Sequence, residues 1–230
     1  MSVAANLGLV RGRIAAACAR VGRDPAGVRV VAVSKTQPAA AVAEAIAAGA
    51  DAIGENRVQE AAGKRPLAPG AVPWHLIGPL QRNKAKAALG LFDVIETVDR
   101  AELADRLEGL LVEDDRVLPV FIEVNVGGEA QKSGVTAGEA PVLAGHILAR
   151  CPHLRLAGVM TVPPYDADPE RSRVHFAALR ELAKALAARR ALPPLELSMG
   201  MSEDFEVAVE EGATLVRLGR ILFGERRPAA

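Results

Sequence analysis

Aromatic residues make up only 3% of this 230-residue chain. A core assembled without them must come from Ala, Val, Leu and Ile, and with half the residues hydrophobic there is ample material. Neither sign of charge is in excess, since 28 Lys plus Arg balance 28 Asp plus Glu. That excludes the basic footprint of a nucleic-acid binder or of a protein drawn to anionic membranes. Two cysteines, Cys18 and Cys151, offer neither metal-ligand spacing nor a disulfide framework, which fits a reducing cytoplasm. No apolar run approaches the roughly 20 residues that cross a bilayer. The first twenty residues scatter Arg11, Arg13 and Arg20 among alanines and read as an amphipathic helix, not a signal peptide.

What the chain does have is regular alternation. After a helix over 4–21, strand-like segments fall at 28–34, 52–54, 74–78, 94–98, 119–126, 156–161, 196–199 and 215–218. Helical segments follow them at 38–48, 57–64, 82–89, 99–113, 136–150, 168–189 and 203–211, with a last turn at 221–223. Asp99, with Glu102 at capping-box spacing, Thr136, and Asp168 before Pro169 are the expected helix starts. The acidic run 113–115 reads as a solvated loop and the tail after Gly224 as frayed. Eight βα units in this length fit one compact (β/α)8 TIM barrel over residues 1–230, with an extra N-terminal helix. An open doubly wound sheet would place a glycine-rich turn after its first strand; here Lys35-Thr36-Gln37-Pro38 follows, without glycine.

Barrels place chemistry at the carboxyl ends of their strands, and a phosphate often sits after strands seven and eight. The first strand ends in Lys35, and a lysine in a dry pocket can lose its proton and attack a carbonyl. Asn56 follows the second strand, and Met160 ends the sixth. Ser198-Met199-Gly200-Met201-Ser202 follows the seventh, and Arg217, Gly219 and Arg220 close the eighth. Ser198 and Ser202 offer hydroxyls, Gly200 and Gly219 a close backbone approach, and a helix beginning near Glu203 its positive end. The same serines also suit an ordinary helix cap. A lysine with a phosphate cradle suggests pyridoxal 5′-phosphate (PLP). Arg217 alternates inward, toward either a ring nitrogen or a carboxylate such as Glu55 or Glu123. His75 beside Trp74 reads as a packed core pair, and His146, His153 and His175 as surface residues.

Five segments together resemble the pyridoxal phosphate homeostasis proteins. These are Val31-Ala32-Val33-Ser34-Lys35, Gly54-Glu55-Asn56, Trp74-His75-Leu76-Ile77-Gly78-Pro79-Leu80-Gln81, Ser198-Met199-Gly200-Met201-Ser202 and Val216-Arg217-Leu218-Gly219. The resemblance implies a barrel like the N-terminal domain of alanine racemase. It implies PLP in a covalent Schiff base at Lys35, with Ser198 or Ser202 and the backbone at Gly219 and Arg220 holding the phosphate. Arg217 would face the pyridine nitrogen, and Asn56 and Met160 would lie near the ring. Arg220 departs from the small hydroxyl residue expected there, which leaves a backbone contact but no hydroxyl. The implied function is non-catalytic PLP homeostasis in the cytoplasm: buffering the cofactor and delivering it to PLP-dependent apoenzymes. The alternative is a PLP-dependent amino-acid racemase, which needs a second acid/base, commonly a tyrosine. The single tyrosine, Tyr165, lies in a proline-rich loop, and no second β-domain is visible to supply another. A Schiff-base aldolase acting on a sugar phosphate needs the same lysine and cradle; the family motifs argue against it. Without the dimer-forming domain of racemases, a monomer is expected.

Overall fold

The computed structural model describes residues 2–114, 116–129 and 131–224. Asp115 of the acidic run and the tail after Gly224 lie outside the described residues. Eight strands close into a barrel in sequence order: β1 (Arg29–Val33), β2 (Ala52–Glu55), β3 (Trp74–Leu76), β4 (Val94–Val98), β5 (Leu118–Glu123), β6 (Leu154–Met160), β7 (Glu196–Ser198) and β8 (Leu215–Leu218). Every neighbouring pair is parallel, and β8 returns to β1 with Val31 opposite Arg217. This is the expected TIM barrel.

Strand alternation splits the apolar residues into two cores. Val31, Ala52, Val94, Phe121, Ala157, Met160 and Leu215 pack together inside the barrel. Val30, Ala32, Ile53, Leu76, Ile95 and Val216 face the helices in the larger outer core. That helical layer comprises α2 (Ala39–Ala47), α3 (Val58–Lys64), α4 (Ala85–Leu89), α5 (Ala101–Leu111), α6 (Ala140–Arg150), α7 (Arg173–Arg190), α8 (Phe205–Glu210) and α9 (Arg220–Phe223). The extra N-terminal helix, α1 (Val3–Arg20), buries Leu7, Val10, Ile14 and Cys18 and packs on α8, α9 and α2. Its first turn is capped by the Ser2 hydroxyl, which accepts the Ala5 N–H.

Three expected helix starts are corrected. Asp99 caps nothing, because Arg100 takes its carboxylate and α5 begins without a side-chain cap. Thr136 and Glu139 form a reciprocal capping box, but around a turn that precedes α6. Asp168 caps a short 3-10 turn, Pro169–Ser172, and α7 starts only after it. At Thr136 and Asp168 the capping chemistry is present but closes a turn ahead of the α-helix; at Asp99 it is absent.

Candidate functional site

A cavity of about 640 Å³ opens at the carboxyl ends of the strands. Lys35, Asn56, Ser202, Arg217, Gly219 and Arg220 all line it, with Val33, Ile77 and Val162 as apolar wall. The other two expected residues lie elsewhere. Ser198 is completely buried inside the barrel, its hydroxyl between Glu96 and Arg217. Met160 is equally buried and packs with Phe121 and Leu215 in the inner core. The distinction turns on strand position: Ser198 still belongs to β7, whereas Ser202 lies in the loop above it.

Lys35 is half-buried in a tight turn directly after β1. The Gln37 N–H donates to the Ser34 carbonyl at 2.9 Å, closing the turn. Thr36, its third residue, sits at φ +65°. A turn with positive φ at this position ordinarily takes glycine, and a β-branched residue there is strained.

Arg217 is 4% exposed and points from β8 into the barrel. Its Nη1 donates to Ser198 Oγ at 2.6 Å and its Nη2 to the Thr161 carbonyl at 2.7 Å. Ser198 in turn donates to Glu96 Oε2 at 2.5 Å, and His75 Nδ1 lies 2.5 Å from Glu96 Oε1. Burial alone would raise the Glu96 carboxyl, but His75, Arg217 and Ser198 outweigh it and hold the group below the usual range. Burial pulls the Arg217 guanidinium down, against Glu96, Glu123 and Asp204, and so basic a group stays protonated. Of the two carboxylates considered for Arg217, Glu55 pairs instead with Lys64. Glu123 acts on it through space, and its own carboxyl is pushed up to about 7 by burial and by Asp99. His75 and Trp74 are not a packed pair, because adjacent strand residues face opposite sides: His75 meets Glu96, while Trp74 joins the outer core under Arg65.

The mouth above β7 and β8 is shaped by close approach. A Cβ on Gly219 would stand 3.3 Å from the Val33 carbonyl, so glycine lets the two strand ends meet. Ser202 Oγ accepts the Ile221 N–H at 3.3 Å, tying the two loops together. The Arg220 side chain turns to Glu203 at 2.6 Å. Gly200 packs against Ala208 outside the cavity lining. The helix expected from near Glu203 is α8, which begins at Phe205; in front of it the buried Asp204 carboxylate accepts the Met201 N–H and the Ser172 hydroxyl.

Among the residues expected at the surface, His146 Nε2 lies 2.6 Å from an Asp105 carboxylate oxygen and His153 Nδ1 2.6 Å from one of Glu108. Cys151 lies 3.9 Å from the same Asp105 oxygen, and burial, with Asp105 and Glu108, pushes its thiol up to about 11, where it is inert. No helix among the described residues is long and apolar enough to cross a membrane.

Fold and site define the class: an eight-stranded parallel barrel whose mouth is a small-molecule cavity lined by one strand-end lysine and one buried arginine. A volume of about 640 Å³ is ample for a compact ligand. Residues 6–227 match the family model for the alanine racemase N-terminal domain. The chain is 42% identical to a pyridoxal phosphate homeostasis protein of Aquifex aeolicus, over 99% of this chain and 100% of that one. It is 45% identical to one of Pseudomonas aeruginosa, over 98% and 96%. A solved structure of PipY from Synechococcus elongatus with PLP bound superimposes with a TM-score of 0.83 at 34% identity, covering 97% of this chain and 100% of that one. The chain belongs to the pyridoxal phosphate homeostasis protein family.

Proposed function

We propose that the barrel binds PLP and serves PLP homeostasis without turning over a substrate. The observation that carries this reading is the convergence of Lys35, Arg217 and Ser202 on one cavity. These groups suit PLP: a primary amine for its aldehyde, a buried cation for its ring nitrogen, and a hydroxyl with a side-chain-free backbone for its phosphate. Bound PLP supplies an aldehyde that condenses reversibly with amines and a ring that draws electrons. Lys35 is the covalent anchor, holding the cofactor in a Schiff-base linkage. Arg217 faces the pyridine nitrogen; held charged by its carboxylate neighbours, it keeps that nitrogen unprotonated. Ser202, with the backbone at Gly219 and Arg220, takes the phosphate, while Asn56 and Ile77 border the ring. Ser198 and Met160 act one layer below: Ser198 orients Arg217, and Met160 fills the barrel floor.

Two features support a carrier over an enzyme. An arginine against the ring nitrogen weakens the electron sink that racemisation draws on. Tyr165, the chain's single tyrosine, is 81% exposed and does not line the cavity, so it is not placed as the second acid/base. The protein works as a cytoplasmic, monomeric, single-domain carrier that delivers PLP to apoenzymes.

The test is the absorption spectrum of the protein with PLP beside that of Lys35→Ala. Wild type should be yellow, with an adduct that borohydride fixes on Lys35; the variant should lose both. Matching spectra would remove the anchor, and loss of optical activity from any amino acid would remove the non-catalytic reading.

A further inference from the structure

Directly behind the turn that carries Lys35 lies a cluster of three charges built on the buried Glu55, with Lys64 and Glu60 half-buried beside it. Lys64 Nζ, at the end of α3, donates to Glu55 Oε1 at 2.7 Å, Glu60 Oε2 at 3.0 Å and the Ser34 carbonyl at 2.8 Å. Its side chain is 11% exposed, and that of Glu55 is fully buried. The cluster grips the residues on both sides of Lys35. Ser34 gives its carbonyl to Lys64 and its hydroxyl to Glu55, at 2.6 Å. Thr36 gives its N–H to Glu60 Oε2 at 2.8 Å.

A buried ion pair is a poor device for stability alone, because desolvation offsets much of the attraction. This one is spent on the backbone of a single turn. That turn holds a β-branched residue at φ +65°, a conformation that persists only where the surroundings enforce it. No other β-branched residue among those described has a positive φ. The strain and its restraint therefore coincide at the residue after the lysine.

We infer that Lys64 is a positioning residue for Lys35: through Ser34, and through Glu60 to Thr36, it locks the turn so that the Lys35 amine is presented to the cavity. The inference rests on the reading of Lys35 as the PLP anchor. Its consequence is pre-organisation. Without Lys64 the turn relaxes to negative φ, and binding must re-impose the strained form.

Lys64→Met, Lys64→Arg, Thr36→Gly and the double variant Lys64→Met with Thr36→Gly test it. The readouts are PLP affinity by absorbance titration, the pH midpoint of the Lys35-dependent band, and exchange of the Thr36 amide hydrogen in ligand-free protein. Lys64→Met should weaken PLP binding about tenfold or more, move the midpoint, and speed Thr36 exchange by a similar factor, with partial recovery in Lys64→Arg. Adding Thr36→Gly to Lys64→Met should restore most of the affinity, since glycine holds positive φ without restraint. A folded Lys64→Met with affinity and midpoint unchanged would overturn the inference, as would a double variant no better than the single. If Lys64→Met does not fold, Glu60→Ala removes the Thr36 acceptor alone; it should still speed Thr36 exchange, and unchanged exchange would overturn the proposal. The exchange measurement needs no cofactor. A failure of Lys35 as anchor, seen in the Lys35→Ala spectrum, is thus separable from a failure of the restraint.

Discussion

The hydrogen-bonded link from Arg217 to Glu96 runs through Ser198: Nη1 stands 2.6 Å from the serine oxygen, and the serine hydroxyl donates to the carboxylate at 2.5 Å. One small side chain thus joins two buried opposite charges. Ser198→Ala would leave both charged groups short of a bond, at a loss of about 1.5–3 kcal/mol. Urea unfolding should show it as a lower midpoint at unchanged slope. The PLP spectrum should shift as well, because Arg217 would lose one of its two fixed orientations. Unchanged stability would mean that the bridge carries no charge coupling.

Glu123 gives the fold a pH dependence of unusual sign. Burial, reinforced by Asp99 and opposed by Arg217, pushes its carboxyl up to about 7. The folded chain then holds this proton more tightly than the unfolded chain does. Its contribution is fully present below the unfolded value near 4 and is lost as pH rises through about 7. The span corresponds to at most about 4 kcal/mol. Glu123→Gln should therefore be nearly neutral at about pH 4 and stabilising at about pH 8, measured by chemical denaturation across that range. A constant difference between variant and wild type would refute it.

Gly78 touches the site from below. A Cβ there would stand 2.4 Å from the Asn56 carbonyl oxygen and 2.8 Å from its Cα. Both are backbone atoms and cannot rotate away. Gly78→Ala should cost about 1–3 kcal/mol and displace Asn56 from the cavity wall. Paired thermal melts and PLP titrations should show both losses; a melt that falls while binding holds would detach Asn56 from the cofactor.

The N-terminal helix offers a control. Ile14 is 3% exposed, on the face of α1 that packs against the barrel's helices. Ile14→Ala should cost about 2–5 kcal/mol by leaving a cavity. The PLP absorption maximum of the folded protein should not move, because no α1 residue lines the site. A shifted maximum would show that α1 is coupled to the mouth.

Much of this was legible in the chain. Short strand-like segments alternating with helical stretches marked every strand, and the bounds of β4 and β8 coincide with the sequence reading. The outward row of small residues on β1 and the inward Arg217 follow from the two-residue period of a strand. Lys35, Asn56, Ser202, Gly219 and Arg220 could be placed at the cavity from the sequence because strand ends in a barrel converge on one mouth, whatever the details of packing.

What the sequence determined, then, was local order and which end of each strand would carry polar groups. Period and turn chemistry are written in neighbouring residues. Only the tertiary structure decided which polar groups meet. Ser198 and Glu96 are 102 residues apart, and Lys64 reaches Ser34 across 30. The local pattern puts Ser198 on a strand and Ser202 in the loop after it, but it does not show that Ser198 meets a carboxylate inside the barrel while Ser202 lines the cavity above. Closure of the sheet places the one among buried charges and the other at the mouth. In the same way, closure sets α3 behind the strained turn and makes Lys64 a neighbour of Lys35.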